Sequence, residues 1–166
     1  MQRALVIGSP GAGKSTFARA LAARTCLPLI HLDREYHLPG WVEPPEADWR
    51  ARIDQLIAGD RWIIDGNYGG SMDVRLARAD TVILLDYPCW LCLWRVVSRI
   101  ATLHGRVRPD APAGCPERWD WEFLAYTAAF RHRKTPSIER RLASFRGTSV
   151  RFRRPAEAQA FLDALA

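Results

Sequence analysis

The stretch Gly8–Ser15, GSPGAGKS, is followed by Thr16 and lies near the start of the chain. It fits the pattern G-x-x-x-x-G-K-[ST] of a phosphate-binding loop, the P-loop or Walker A motif. The apolar residues 4–7 (ALVI) precede it and predict a buried strand. One apolar helical face follows it, formed by Phe17, Ala18, Leu21 and Ala22. Strand, glycine-rich turn and helix therefore occur in the order that a nucleoside triphosphate site requires.

The residue types of this loop suit phosphate chemistry. Glycines allow the backbone to approach phosphate oxygens, and the start of the next helix adds N–H groups and a positive dipole end. Lys14, one of only two lysines in the chain, supplies positive charge to the β- and γ-phosphates, and the Ser15 hydroxyl suits Mg²⁺. We therefore expect ATP and Mg²⁺ as cofactors, with the nucleotide bound by Gly8, Ser9, Pro10, Gly11, Ala12, Gly13, Lys14, Ser15 and Thr16.

Length and composition indicate one globular domain over residues 1–166, because 48% of the residues are hydrophobic. No apolar run approaches the length of a membrane span, and the first strand begins too near Met1 to leave room for a signal peptide. We therefore expect a cytoplasmic protein without a membrane partner, either a monomer or a weak homodimer.

The net charge of +6 comes entirely from the second half, where residues 91–166 hold 14 basic and 7 acidic side chains. A basic surface indicates anionic partners, which are either nucleotide phosphates or nucleic acid.

Cys89 and Cys92 form a C-x-x-C pattern just after a predicted strand. The pattern permits a redox pair or a metal site. However, residues 90–94 (WLCLW) read as an apolar helix start, where cysteine usually serves as a small hydrophobic residue. We expect both cysteines to pack in the core.

Predicted strands alternate with predicted helices along the whole chain. After the first strand, the strand-like runs are residues 28–33, 61–66, 81–86 and 149–152. This alternation predicts an α/β fold with a parallel sheet and helices on both faces. Ligands of such sheets bind at the carboxyl ends of the strands, so four residues should gather around one site: Gly8, Asp33, Asp65 and Asp86.

The three acidic residues at these strand ends have different candidate roles. Asp65 is placed to hold Mg²⁺ together with Ser15, or else to cap a turn. Asp33 is placed to accept the proton of an acceptor hydroxyl, with an Asx-turn or an ion pair to Arg34 as the structural alternative. Asp86 can contribute to the metal site or cap the helix after it.

Residues 104–119 contain two glycines, three prolines and three arginines between two predicted helices. A loop of this length inside a compact domain is usually functional, and we predict that it is an arginine-bearing lid. Phosphoryl transfer gains from arginines that approach as a lid closes. The arginines predicted to be catalytic, together with Lys14 and Asp33, are Arg95, Arg99, Arg131 and Arg133.

Taken in order, Gly8–Thr16, Asp65-Gly66 and residues 85–88 (LDYP) resemble the adenylate-kinase-like nucleoside and nucleotide kinases. The resemblance implies a P-loop three-layer sandwich, a five-stranded parallel sheet of order 2-3-1-4-5, and an arginine-bearing lid inserted before the last strand. It also implies an ATP-dependent small-molecule kinase.

More narrowly, four stretches look like the bacterial DNA topology modulation proteins of the FlaR type. They are residues 32–36 (LDREY), 39–41 (PGW) and 64–68 (IDGNY), and 116–118 (PER) with Trp121. The leading hypothesis is transfer of the γ-phosphoryl group of ATP to a small acceptor, which is a nucleoside, a nucleotide or another hydroxyl compound. The alternative is a DNA-associated protein that uses ATP as a switch, although the sequence contains no helix-turn-helix signature.

Overall fold

A computed structural model of the chain describes residues 1–165. Its strands are β1 (Arg3–Gly8), β2 (Leu29–His31), β3 (Trp62–Asp65), β4 (Thr81–Leu85) and β5 (Thr148–Phe152). Its helices are α1 (Lys14–Thr25), α2 (Leu32–Tyr36), α3 (Glu46–Ile57), α4 (Met72–Arg78), α5 (Cys89–Leu103), α6 (Trp121–Arg133), α7 (Thr135–Ala143) and α8 (Pro155–Asp163).

The five strands form one parallel sheet of order β2-β3-β1-β4-β5, which confirms the predicted fold class. Neighbouring residues of β1 point to opposite faces. Ala4 and Val6 pack with residues of α1, α8 and the start of α5, whereas Leu5 and Ile7 pack with residues of α3, α4, α6 and α7. The sheet is therefore the middle layer of three, as expected for an apolar central strand that is buried on both sides.

The second strand is shorter than the sequence predicted, because β2 ends at His31 and not at Asp33. The last register pair joins His31 to Asp65, and the chain then turns at once into α2. Leu32 is fully buried at this turn. It packs closely on Gly66, where an added Cβ would lie 2.9 Å from the Leu32 Cβ. Asp33 consequently lies in the first turn of α2, just beyond the sheet.

Residues 104–119 join α5 to α6 outside the five-stranded sheet. They fold back against the loop that follows α2. Gly40 donates to the Gly114 carbonyl at 3.0 Å, and the Trp41 Nε1 atom donates to the Pro116 carbonyl at 3.0 Å. This 104–119 segment is therefore held against residues 38–41.

The C-x-x-C cysteines are not bonded to each other. Cys92 is completely buried against α1 and the sheet, and the Cys89 thiol lies 3.1 Å from the Ala128 carbonyl oxygen.

Within residues 1–165, no three histidine, cysteine or acidic side chains are grouped so as to hold a metal ion. None of the helices in that range is long and apolar enough to cross a bilayer.

Candidate active site

The P-loop connects β1 to α1 at the carboxyl edge of the sheet, and its shape depends on two glycines. Gly8 has φ +145°, and a Cβ there would lie 2.3 Å from the Leu85 carbonyl oxygen. Gly11 has φ +76°, and a Cβ there would lie 2.2 Å from the Cys92 carbonyl oxygen. Any larger residue would collide with backbone at both positions, so the loop can adopt this path only with glycine.

The start of α1 is open for an anion. Its N-cap residue, Gly13, has φ +88° and brings no capping side chain, and the first turn contains no acidic residue. The amides of this turn are therefore available to phosphate oxygens. Lys14 bends back over the loop, where its Nζ atom donates to the Ser9 carbonyl at 3.0 Å.

The electrostatic environment of Lys14 fits a phosphate-binding lysine. Burial lowers the pKa of Lys14, and the Asp65 and Asp33 carboxylates partly oppose this effect. When nearby negative charges do not fully offset the cost of burying an ammonium group, a bound anion stabilises its charged form. Phosphate binding would therefore stabilise the charged form of Lys14.

Asn67 ties the loop after β3 to the beginning of the P-loop. Its Oδ1 atom accepts from the Gly8 amide at 3.0 Å, and its Nδ2 atom donates to the Gly8 carbonyl at 2.8 Å. The sequence suggested no role for Asn67, because a single asparagine in a turn has many ordinary uses.

Asp65 ends β3 and is 4% exposed. Its Oδ2 atom lies 2.8 Å from His31 Nδ1, whereas its Oδ1 atom has no hydrogen-bond partner in the described part of the chain. Asp65 and Ser15 line the same cavity, and carboxylate and hydroxyl oxygens are the hard ligands that Mg²⁺ takes. The residues present therefore fit a Mg²⁺ site.

Asp33 also lines the cavity and has one oxygen engaged. Its Oδ1 atom accepts a hydrogen bond of 2.8 Å from the Tyr68 hydroxyl. Burial, followed by the Asp33 carboxylate, raises the pKa of Tyr68, so this phenol stays protonated and acts as the donor. The second oxygen of Asp33 is left for another partner.

Arg75 holds the loop that carries Tyr68. Its side chain is fully buried and donates to the carbonyls of Gly66, Asn67, Tyr68 and Ser71. Tyr68 itself has the unusual φ of +36°, a conformation that persists only where the surroundings impose it. Burial lowers the pKa of Arg75 to about 10, so the guanidinium remains charged at neutral pH.

The predicted arginines fall into two groups. Arg95 and Arg99, on α5, line the cavity. The Arg95 Nη1 atom lies 3.4 Å from the Ala12 carbonyl oxygen in the P-loop, and the Arg99 Nε atom lies 3.1 Å from Glu117 Oε1. Arg131 and Arg133 do not line this cavity. Arg131 faces Asp86 at 3.8 Å, and the catalytic role of these two arginines stays a prediction.

Asp86 neither caps α5 nor lines the cavity. It accepts two hydrogen bonds from Arg151 on β5, at 3.1 Å from Nε and 2.6 Å from Nη2. The Asp86 carboxylate is buried and Arg151 is exposed, and this ion pair joins the end of β4 to β5.

The 104–119 segment reaches the P-loop through charged residues that the sequence did not single out as catalytic. Glu117, 5% exposed, pairs with Arg99 and also with Arg108, whose Nε atom lies 2.5 Å from Glu117 Oε1. Arg108 also pairs with Asp110 at 2.7 Å. Although burial opposes it, Arg108 and a hydrogen bond from Ser15 hold the pKa of Asp110 below its ordinary value.

One cavity of about 1360 Å³ joins the P-loop to most of the other groups described above, with Arg75, Asp86, Arg131 and Arg133 outside its lining. Its walls include the P-loop, Asp33 and Asp65, and four residues of the 104–119 segment, Arg108, Asp110, Glu117 and Arg118. The carboxyl edge of the parallel sheet, the glycine-rich loop and this cavity define the molecule as a protein of the P-loop α/β fold.

Solved structures support this fold. The chain is similar to a shikimate kinase from Bacteroides thetaiotaomicron, with a TM-score of 0.59, 15% identity, and coverage of 99% of this chain and 95% of that chain. A shikimate kinase from Acinetobacter baumannii, in complex with shikimate, gives a TM-score of 0.58 at 18% identity, over 99% and 93% of the two chains.

A sugar kinase from Janibacter sp. HTCC2649 gives a TM-score of 0.50 at 19% identity, over 100% of this chain and 98% of that chain. No protein-family model matches the sequence, and no curated protein matches it. At these identities, the likeness shows a shared fold. The predicted closeness to FlaR-type proteins stays a prediction.

Proposed function

We propose that this protein is an ATP- and Mg²⁺-dependent phosphotransferase that phosphorylates a hydroxyl group of a small molecule. The observation that carries the proposal is the placement of Lys14, Asp65 and Asp33 in the lining of one cavity. A charge for the phosphates, an oxygen ligand for the metal and a base for the acceptor are the parts that phosphoryl transfer needs. The kinase neighbours have the same fold and add support.

On the donor side, the open first turn of α1 and Lys14 bind the β- and γ-phosphates of ATP. Ser15 and Asp65 would hold Mg²⁺, which neutralises phosphate charge when it is bound. Arg95 and Arg99 point from α5 toward the same end of the cavity. Their positive charge stabilises the transferring phosphoryl group, whose oxygens carry the spread negative charge of the transition state.

On the acceptor side, Asp33 takes the proton of the acceptor hydroxyl through its free oxygen. The acceptor oxygen forms a new bond to the γ-phosphorus, the bond from the γ-phosphorus to the bridging oxygen breaks, and ADP leaves with that electron pair. Tyr68 fixes the carboxylate through the 2.8 Å hydrogen bond to its other oxygen. Asp33 is thereby oriented before the acceptor arrives.

The direct test is a screen of nucleosides, nucleotides and sugar alcohols for ADP release, run beside a DNA-binding assay at several salt concentrations. We expect ADP release that depends on an acceptor and on Mg²⁺. Tight DNA binding with a steep salt dependence, and no ADP release with any acceptor, would contradict the proposal in favour of the DNA-associated switch.

Tyr68→Phe keeps the aromatic ring and removes only the hydroxyl that holds Asp33. We expect kcat to fall by roughly 10-fold while the KM for ATP stays unchanged, because the loss is one orienting hydrogen bond. Steady-state kinetics measure both quantities, and Tyr126→Phe is the matched control since the Tyr126 hydroxyl makes no hydrogen bond within residues 1–165. Unchanged kcat in Tyr68→Phe would show that Asp33 needs no such support.

The contacts between residues 38–41 and the 104–119 segment predict that these two parts move together. We expect hydrogen exchange at backbone amides of both to slow when ATP and an acceptor bind, since closure excludes water from the transfer. Exchange measured by mass spectrometry, without ligand and with each ligand alone, follows both segments. Exchange that no ligand combination changes would mean that residues 104–119 are only structural.

A further inference from the structure

The wall of the cavity beside Asp33 is built from aromatic side chains. His37, Trp41 and Tyr68 line the cavity and are each partly exposed. The ring centroids of His37 and Trp41 are 5.2 Å apart, and those of His37 and Tyr68 are 6.4 Å apart. Because the Tyr68 hydroxyl contacts Asp33 directly, these rings border the place where an acceptor hydroxyl would meet its base.

Two further aromatic residues hold this wall in place. Tyr36 packs against Tyr68 with ring centroids 4.6 Å apart, and Trp49 packs against Tyr68 at 5.4 Å. Neither of them lines the cavity. The wall is thus a supported aromatic surface, and such surfaces bind flat rings by stacking and by edge-to-face contact.

His37 brings a polar group that the protein leaves unpaired. Its Nδ1 atom is buried and has no hydrogen-bond partner among residues 1–165. Burial lowers the pKa of His37, against the opposing charges of Asp33 and Glu43, so the imidazole is neutral at pH 7. A neutral imidazole can stack on a flat ring without adding charge to the wall.

The wall offers no positive charge to an anionic acceptor. In the described residues, no arginine or lysine side chain pairs with Asp33 or contacts the rings of His37, Trp41 or Tyr68. Five of the cavity arginines contact groups outside this wall: Arg95 the P-loop, Arg99 and Arg108 Glu117, Arg118 Asp120, and Arg141 Asp73. A phosphate or carboxylate placed against these three rings would therefore lie beside the Asp33 carboxylate, with no cation stacked on the wall to offset it.

We propose that the phosphoryl acceptor is an uncharged alcohol that carries a flat ring, bound with the ring against His37, Trp41 and Tyr68 and with its hydroxyl at Asp33. This inference rests on the proposed phosphotransferase function and specifies its substrate class. Nucleosides and aromatic alcohols share this chemistry.

The test compares kcat/KM, by ADP release, for three sets of acceptors. The first set holds uncharged ring alcohols, which are common ribo- and deoxyribonucleosides together with benzylic and pyridine alcohols. The second set holds the 5′-monophosphates of the same nucleosides. The third is shikimate, an anionic alcohol without an aromatic ring. We expect at least one uncharged ring alcohol to exceed every monophosphate and shikimate by roughly 10-fold or more. Nucleosides and the benzylic and pyridine alcohols are the two uncharged classes, and the class with the higher kcat/KM identifies the kind of ring that the site accepts.

Substitutions at Trp41 separate ring binding from the contact with the 104–119 segment. Trp41→Ala removes the ring, and we expect the acceptor KM to rise roughly 10-fold with the KM for ATP unchanged. Trp41→Phe keeps a ring but loses the Nε1 hydrogen bond to Pro116, and we expect it to retain most of the acceptor affinity. Trp121→Ala, at an exposed position outside the cavity, is the control.

His37→Ala removes the ring that packs against both Trp41 and Tyr68, and we expect it to raise the acceptor KM by a similar factor. Release of ADP only with monophosphates or with shikimate would overturn this inference but leave the proposed function standing. An acceptor KM that is unchanged in both Trp41→Ala and His37→Ala would have the same consequence. Absence of ADP release with every acceptor would overturn the proposed function and this inference with it.

Discussion

Lys14→Ala is expected to lower the rate of acceptor-dependent ADP release on the order of 10³-fold or more, to the limit of detection. The variant loses the charge that faces the β- and γ-phosphates, and this charge acts most strongly when the transition state forms. Steady-state ADP release at saturating ATP, compared with the wild type, measures the loss.

The fold of this variant should be unaffected. Burial lowers the pKa of Lys14, which means that the folded protein disfavours the charged form. Removal of the ammonium group therefore relieves a cost, and we expect the melting temperature to stay the same or to rise.

Arg146→Ala removes an exposed positive charge outside the cavity and serves as the control. It should match the wild type in rate. Turnover at the wild-type rate in Lys14→Ala would remove the P-loop from the mechanism.

Asp33→Asn should lower the rate by roughly 10²–10⁴-fold if the acceptor is a hydroxyl compound, the usual range for a positioned general base. Asparagine keeps the size of the side chain and can still accept the hydrogen bond from Tyr68. ATP binding should therefore remain nearly normal. Single-turnover kinetics, together with a titration of ATP binding, separate the two effects.

The same substitution distinguishes the other hypotheses. A phosphate acceptor is already ionised and needs no base, so the loss would be smaller and would appear mainly as weaker binding of the acceptor or of Mg²⁺. In a DNA-associated switch, the loss of one negative charge would leave DNA affinity unchanged or slightly raised. Full activity of Asp33→Asn on an identified acceptor would return Asp33 to a structural role at the start of α2.

Each of these substitutions has a different structural background. Lys14 makes one hydrogen bond in the described chain, to the Ser9 carbonyl, and can be removed without disturbing a network. Asp33 belongs to a chain of contacts that runs from Arg75 through the loop after β3 to Tyr68. Variants of Arg75 would consequently confound stability with catalysis, because a fully buried cation holds four carbonyl groups there.

The sequence by itself determined the sheet and the nucleotide-binding loop, because both depend on local patterns. Apolar runs bounded by turn residues located all five strands, and the largest error in length was at β2, predicted over residues 28–33 and observed over Leu29–His31. The spacing of Gly8, Gly13, Lys14 and Ser15 specified the P-loop, since each residue meets a local steric or chemical requirement. Arg95 and Arg99, one helical turn apart, both line the cavity, and their catalytic role stays a prediction.

Only the tertiary structure decided which distant residues complete the site. Tyr68 meets Asp33 across 35 positions of sequence, and Trp41 meets Pro116 across 75. Such pairs leave no local periodicity in the sequence, because they form only when separate loops converge at the edge of the sheet. For the same reason, the sequence could not show that Arg95 lines the cavity and Arg131 does not. Arg131 lies on α6, where only packing determines whether an arginine faces the cavity or the buried carboxylate of Asp86.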